Sequence, residues 1–370
     1  MRKSEEKAKS RSTPEPNLFP ILQPPAPTGI ARLAAQARHT DDGHLVEFHA
    51  LDARSILNKS VSRRQLSLAY SINPYRGCEF ACRYCYARYT HEFLEPTPIS
   101  APVDLSEPQS WATSFEHKIF LKQNAAWLLE QELKKIDPAQ EIALGTATDP
   151  YQPIERRARI TRSLLEVFSR RAGYRLGIIT KSTLIARDID LLAQIAKKNT
   201  LVLHLTITTP DAQLARLLEP RAPRPDLRFQ TVKRLRQAGL VAGILCSPLL
   251  PGITDTADAL DRMAARAAEA NASFFAAQPL FLKSCSRPTY LSFIRQHFPA
   301  LLPLYEERFR THDFAQDPYR GRLRSLVAGA CQRYNLPPRS TDALLTRDVG
   351  SPRKLPPAPT PHDIQTRLFA

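Results

Sequence analysis

The 370-residue sequence predicts an α/β protein in which a parallel sheet is covered by helices. Three observations lead there. Short apolar runs bounded by turn residues recur along the chain, and each is followed by a stretch whose apolar residues fall on a helical period. About six such units can be counted, fewer than the eight of a closed barrel. Polar residues gather just after the apolar runs, where parallel α/β folds place their chemistry.

In order, the chain opens with Arg2, Lys3 and Lys7 and then Pro14, Pro16, Pro20, Pro24, Pro25 and Pro27. Such a stretch cannot bury enough apolar surface to offset its ordering. Residues 1–60 are therefore expected to form a basic, Pro-rich, largely flexible extension, with a short strand near Leu45-Val46-Glu47-Phe48. Leu66, Leu68, Tyr70 and Ile72 alternate as a first core strand, which runs into the turn signal Asn73-Pro74. Residues 118–121 read as extended, and Trp127, Leu128 and Leu133 continue on a helical period to Lys135. The apolar run 141–146 reads as a buried parallel strand. Helices over 161–171, 187–198, 229–238 and 255–270, with another carrying Leu214, Leu217 and Leu218, then alternate with strands over 176–179, 201–208, 241–245 and 272–277. The core is expected to span 61–290. A helical C-terminal extension follows over 291–336, and a loosely ordered Pro-rich tail over 337–370.

With 52 Lys and Arg against 36 Asp and Glu, the net charge of +16 favours polyanionic partners, DNA among them, although a basic soluble surface accounts for the same charge. The charged, Pro-containing N-terminus does not read as a signal peptide. No apolar run approaches the roughly 20 residues that span a bilayer. The sequence thus predicts a cytoplasmic protein without a membrane partner, in a compartment that keeps thiols reduced.

Three of the six cysteines fall within eight residues, in Gly77-Cys78-Glu79-Phe80-Ala81-Cys82-Arg83-Tyr84-Cys85-Tyr86, with the spacing Cys-x3-Cys-x2-Cys. In a reducing compartment such a run reads as a metal site rather than a disulfide framework. A structural zinc site needs four closed ligands, and no fourth Cys or His stands at finger spacing. An iron-sulfur cluster held by three thiolates leaves one iron open. The alternative is a zinc-stabilised nucleic-acid-binding protein without catalysis, whose fourth ligand would be His91 or a distant Cys.

Cys78, Cys82, Tyr84 and Cys85 resemble the signature of the radical S-adenosylmethionine (SAM) superfamily. Thr148-Asp149-Pro150-Tyr151-Gln152-Pro153-Ile154-Glu155 resembles a segment of the bacterial members grouped with spore photoproduct lyase, the DNA repair photolyase-like branch. The resemblance implies a partial (β/α)6 TIM-like barrel and a [4Fe-4S] cluster on Cys78, Cys82 and Cys85. It implies reductive cleavage of SAM to a 5′-deoxyadenosyl radical that acts on an unidentified substrate, and an external flavodoxin- or ferredoxin-like electron donor. Tyr84 takes the place of the aromatic residue against adenine. Thr148 lies in the loop that meets the SAM amino group, and Lys181, after the third strand, would meet the SAM carboxylate. Thr206 or Thr208, depending on register, would bond the same methionine end, and Gly252 would lie near adenine.

Asp149 and Tyr151 are candidate catalytic groups, on a loop expected to project them with Gln152 and Glu155 over the barrel mouth; a capping turn is the plainer account. Lys181 also reads as a surface lysine, Thr206 as a simple β-former and Gly252 as a turn. Glu219 to Arg228, with Pro220, Pro223 and Pro225, reads either as an anion clamp or as a rigid surface loop. Spore photoproduct lyase returns a hydrogen atom from a cysteine whose place falls to Thr146 here. Cys246, at the end of a strand, is the candidate substitute, with an inert buried thiol as its plainer account.

Overall fold

The computed structural model describes residues 29, 30, 32, 38–43, 46–59, 68–92, 94 and 110–337. Leu45, Leu66 and the outer parts of both predicted tails lie outside the described residues. Eleven strands are present among the described residues: β1 (Arg38–Gly43), β2 (Val46–Leu51), β3 (Leu57–Lys59), β4 (Leu68–Ile72), β5 (Tyr75–Arg76), β6 (Lys118–Lys122), β7 (Glu141–Leu144), β8 (Arg175–Thr180), β9 (Thr200–Thr206), β10 (Ala242–Leu249) and β11 (Phe275–Pro279).

The larger sheet has the order β11-β10-β9-β8-β7-β4-β3. Its members β4, β7, β8, β9, β10 and β11 are all parallel and stand beside one another in sequence order. Successive units therefore add on one side only, which gives an open (β/α)6 partial barrel. β3 closes one edge as an antiparallel strand on β4. At the other edge, Phe275 of β11 donates its N–H to Pro337 O at 3.1 Å, and Cys331 Sγ lies 3.8 Å from Phe275 O. The C-terminal extension, ending in the helix Tyr319–Arg333, thus covers a sheet edge that would otherwise invite pairing.

The two-residue period sorts each strand into faces. Ile142, Leu144, Leu176, Ile178, Leu203, Leu205, Ile244 and Cys246 join the large helix-side core. Ala143, Val202, Phe274 and Ala276 form a smaller separate cluster with Leu245 packed against it. The helices show matching stripes: Ile160, Leu164, Leu165, Val167 and Phe168 are the buried apolar residues of Ile160–Ser169. Thr256 Oγ1 caps Ala257–Glu269 by accepting from Ala259 N at 3.1 Å. Trp127 stands 63% exposed on the helix Ala125–Glu132 while its neighbours Leu128 and Leu129 are buried. The predicted helix is there, with its tryptophan on the solvent side.

A second sheet, β1-β2-β6-β5, includes the extended run predicted at 118–121. Within the stretch read as an N-terminal extension, Val46, Phe48, Leu51 and Ile56 are buried. β2 runs parallel to β6, and β6 is antiparallel to β5, the two residues that lead into the cysteine loop. This sheet therefore fixes where the loop begins.

Gly145 follows β7 with φ +94°, and a Cβ there would meet Ile179 O at 2.5 Å and Pro150 Cδ at 2.6 Å. Gly145→Ala is expected to cost about 1–3 kcal/mol or more, measured by urea unfolding of the apo chain. Unchanged stability would sink the account of this close approach.

Candidate active site

The cysteine loop is laid down by backbone contacts before any cofactor is considered. Cys78 N donates to Phe115 O at 3.0 Å, and Gly77, at φ +81°, passes so close to β6 that a Cβ would meet Lys118 O at 2.7 Å. The buried Arg88 guanidinium donates to Ala112 O at 2.7 Å, Cys82 O at 3.2 Å and Glu116 Oε2 at 2.6 Å. Arg83 N donates to Leu218 O at 2.9 Å, and Arg221 Nη1 donates to Glu116 O at 3.1 Å. The loop is held from several elements far apart in sequence.

The segment after β7 does much of this holding, and of the four side chains expected over the mouth Asp149 reaches the cavity wall while Tyr151, Gln152 and Glu155 turn inward. Thr148 Oγ1 donates to Gly77 O at 2.6 Å, Gln152 Oε1 accepts from Glu79 N at 2.8 Å, and Glu79 Oε1 accepts from Ile154 N at 2.7 Å. Asn73 Oδ1 accepts from Ala147 N at 2.8 Å. Glu155 is fully buried behind the segment, where it accepts from Tyr75 Oη, from Thr161 N at 2.8 Å and from Arg187 Nη2 at 2.8 Å. The Pro-fixed turn points Gln152 and Glu155 back into the protein, where they are met by hydrogen-bond partners.

A cavity of about 330 Å³ opens at the C-terminal ends of the parallel strands. Cys78, Cys82, Tyr84 and Cys85 line it together with Thr148, Asp149, Lys181 and Thr206, so residues from separate parts of the chain converge on one space. The remaining wall is largely apolar, with Phe80, Phe115, Ile179, Leu245 and Pro248. Lys181 is the single ammonium and Asp149 the single carboxylate among the described lining residues. Asp149 is occupied: Oδ1 accepts from Thr180 Oγ1 at 2.6 Å and from Tyr151 N at 2.9 Å, and Oδ2 accepts from Lys181 N at 2.7 Å. It ties the loop after β7 to the end of β8 and so places Lys181. The Lys181 ammonium lies 5.7 Å from the Tyr84 ring centre. Burial opposes its charge, but the electrostatic pull of Cys82 when ionised, of Glu219 and of Asp149 together outweighs burial and lifts its pKa.

Three candidates stand outside this cavity. Tyr151 is fully buried, and burial, with the Asp188 and Glu155 carboxylates, pushes its phenol far up. Cys246 falls on the helix side of β10, where its Sγ lies 3.7 Å from Thr208 O and burial pushes the thiol up to about 12. The two-residue period gives the cavity to its neighbours Leu245 and Ser247 instead. Gly252 N donates to Asp255 Oδ1 at 2.8 Å, and its Cβ position faces Leu301. Of the two threonines, Thr206 at the end of β9 lines the cavity, while Thr208, beyond the strand, lies behind Tyr84.

The Pro-rich segment is neither an open clamp nor only a surface loop. Glu219 and Arg228, each 1% exposed, form an ion pair at 2.5 Å. Tyr84 Oη donates to Glu219 Oε1, Thr208 Oγ1 donates to the same oxygen at 2.8 Å, and Arg228 Nη1 donates to Thr206 O at 3.1 Å. Burial and the Glu219 charge raise Tyr84's pKa, which keeps its phenol a donor. Sequence reading also passed over Tyr86, Gln278 and Phe281, which form part of the cavity wall. Their one signal was position, just after the third cysteine or at the end of the last parallel strand. Phe281 stacks on Phe314 with centroids 4.2 Å apart, and Tyr86 Oη donates to Thr146 O.

The donor set suits an iron-sulfur cluster. Cys78, Cys82 and Cys85 are free thiols on one cavity, and burial pushes all three up, Cys82 to about 12. Buried thiolates therefore need a cationic partner. Among the described residues, no three His, Cys, Asp or Glu side chains converge on a single ion position. A cluster removes that requirement by giving each thiolate its own iron. His91 is turned away: its Nε2 lies 3.1 Å from Lys118 O, and its ring packs edge-on against Phe115 at 5.2 Å.

Glu219→Gln removes the charge facing Arg228 and is expected to cost about 3–5 kcal/mol of apo-protein stability. Burial raises the Glu219 pKa, yet Arg228 and Lys181 hold it below its ordinary value. The pair's contribution is therefore present above the ordinary carboxylate range and is lost as pH falls through the folded-state pKa. The stability gap between parent and variant should narrow on acidification, and a widening gap would overturn the assignment.

Comparison with known proteins agrees with this fold. An uncharacterised protein of Mycobacterium tuberculosis is 32% identical over 308 residues, covering 81% of this chain and 86% of its own length. An uncharacterised protein of Methanocaldococcus jannaschii is 30% identical over 186 residues, covering 50% of this chain and 62% of its own length. The fold resembles a double mutant of spore photoproduct lyase with bound AdoMet and dinucleoside spore photoproduct, at a TM-score of 0.57 and 14% identity over 82% of this chain and 86% of that one. Spore photoproduct lyase complexed with dinucleoside spore photoproduct gives 0.53 at 14% identity, covering 85% of each chain. The Radical SAM superfamily model matches residues 72–264, from the end of the first parallel strand into the helix that precedes the last, and by that match the chain belongs to the radical SAM superfamily.

Proposed function

We propose that this protein is a radical SAM enzyme in which Cys78, Cys82 and Cys85 hold a [4Fe-4S] cluster and the adjoining cavity holds SAM. The observation that carries the reading is the convergence of the three thiols with Lys181, Thr206 and Tyr84 on one cavity, although they come from the cysteine loop, the end of β8 and β9. When bound, the cluster supplies the electron that cleaves SAM to a 5′-deoxyadenosyl radical able to abstract hydrogen from a substrate.

The chain's own residues divide the remaining work. Lys181 offers a point charge to a carboxylate, and Asp149 fixes its backbone by accepting from Lys181 N at 2.7 Å. Thr206 adds a hydroxyl at the end of β9. Tyr84 presents a ring immobilised through its phenol by Glu219 and Thr208. Phe80, Phe115, Ile179 and Leu245 keep the wall apolar, which limits water around a reactive intermediate.

For the substrate we favour nucleic acid, DNA first. Tyr86, 38% exposed, lies 5.7 Å from Phe281, which stacks on Phe314, and Lys283 Nζ lies 4.2 Å from the Tyr89 ring centre. An aromatic rim with a neighbouring ammonium suits a base and its phosphate, and the net charge of +16 acts in the same sense. Thr146 accepts from Asn73 Nδ2 at 3.2 Å and has no thiol to return a hydrogen atom. This argues against the same reaction as the lyase. Of the thiols outside the cluster motif, Cys285 comes against Tyr86, with Sγ 3.9 Å from Tyr86 O.

Anaerobic reconstitution is expected to give roughly four irons per chain, with reductant-dependent 5′-deoxyadenosine formation. Cys82→Ala should lose both while its unfolding transition persists, and SAM cleavage at the parent rate would sink the cluster assignment. Lys181→Met should weaken SAM binding by about ten- to hundredfold, read by equilibrium dialysis on the reconstituted protein; unchanged affinity would remove Lys181 from the site. Phe281→Ala should weaken single-stranded DNA binding by about 1–3 kcal/mol. An affinity of the parent indifferent to salt would exclude a phosphate-tracking surface.

A further inference from the structure

A second cavity lies on the outside of the barrel, between the helix Ala212–Leu218 and the Pro-rich segment that leads into Pro225–Gln237. It measures about 630 Å³, and Ala212, Leu217 and Pro223 give it an apolar lining, with Arg216 and Arg224 exposed at its edge and Arg228 buried beneath. Its described lining includes no carboxylate. Asp226 pairs with Arg224 at 3.1 Å, but both are exposed and such a pair is weak. Asp211 is spent as a helix cap, accepting from Gln213 N at 2.8 Å and Leu214 N at 3.0 Å.

This groove is joined to the cysteine loop twice. Leu218, at the end of its helix, accepts from Arg83 N at 2.9 Å, within the cysteine motif itself. Arg228 bonds Glu219, whose other oxygen accepts from Tyr84, between Cys82 and Cys85. The groove is thus a surface where a partner comes close to the cluster loop without entering the substrate mouth.

We infer that this groove docks an acidic one-electron carrier protein, which delivers the electron that SAM cleavage requires. The inference rests on the enzymatic reading above. In the delivery step the carrier's reduced flavin or iron-sulfur centre loses one electron and the cluster gains it, with no bond made or broken. Charge selects the partner, since two exposed arginines flank an apolar floor whose described lining holds no acid. A nucleic acid strand fits less well, because the lining residues include no aromatic ring for a base to stack on.

The test uses the reconstituted holoenzyme with an acidic flavodoxin as probe. The double variant Arg216→Glu, Arg224→Glu should bind flavodoxin about tenfold or more weakly at low salt and lose most of the parent's salt dependence. Leu217, 40% exposed, supplies a second variant, Leu217→Ser, expected to weaken binding without flattening the salt dependence. Stopped-flow reduction of the cluster by flavodoxin hydroquinone should slow in both variants, while the paramagnetic signal produced by dithionite keeps its parent intensity. Unchanged flavodoxin affinity in both variants would overturn the proposal. So would a loss of affinity for a single-stranded oligonucleotide with flavodoxin binding intact, which would make the groove a nucleic-acid surface. If dithionite supports no SAM cleavage in the parent, the enzymatic reading fails, whereas the docking surface is decided by the binding data.

Discussion

The buried pair of Glu219 and Arg228 is the interaction on which the site most depends, because it supports Tyr84 from beneath and draws three separate parts of the chain together. A full charge on each partner at 1% exposure is tolerable only when the remaining lone pairs and donors are met. Here they are met by functional groups. Tyr84 comes from the cysteine loop, Thr208 from beyond β9, and the Thr206 carbonyl from the strand end that faces the cavity. The energetic requirement of the ion pair and the geometric requirement of the cavity are therefore satisfied by the same contacts.

The segment after β7 applies the same logic to the cysteine loop. The loop's Phe80, Tyr84 and Ala87 are buried in an apolar cluster with Phe115, Leu218 and Leu250, and hydrogen bonds add the direction that such packing lacks. Thr148, Gln152 and the backbone of Ile154 meet Gly77 and Glu79 at distances between 2.6 and 2.8 Å. Asp149 continues the chain of contacts to β8. Prolines 150 and 153 make the segment stiff, which lowers the entropy lost on fixing it. The three thiols are therefore held in place by contacts that exist before any cationic group arrives, so the loop does not have to find its shape on binding.

Much of the architecture was legible because parallel strands leave a strong local mark. Runs such as 142–144 are apolar on both faces, and the helices between them carry an apolar stripe, as Ile160–Ser169 does. The cysteine spacing is equally local, and so was the link from Tyr84 to the metal motif. The sequence misjudged direction rather than position. Tyr151, Gln152 and Glu155 sit on the predicted loop but turn inward, and Cys246, expected at the end of a strand over 241–245, lies within a longer strand and faces the helices. A one-residue difference in parity decides between the two sides of a strand, and strand ends read from sequence are uncertain by more than that.

From local sequence came the alternation of the parallel strands with their helices, the three-thiol motif and the polar residues at strand ends, since each is written in residues close together in the chain, whereas β1, β3 and β5 were not foreseen. Tertiary structure alone decided that Thr206 rather than Thr208 faces the cavity, and that Asp149 is consumed as a tie. It alone revealed that Glu219 and Arg228 brace the loop and that Gln278 and Phe281 form part of the wall. Those outcomes depend on where a strand ends and on contacts between residues tens of positions apart. Burial makes such contacts compulsory, because a polar group removed from water must find a partner, and only the closed fold says which partner is within reach.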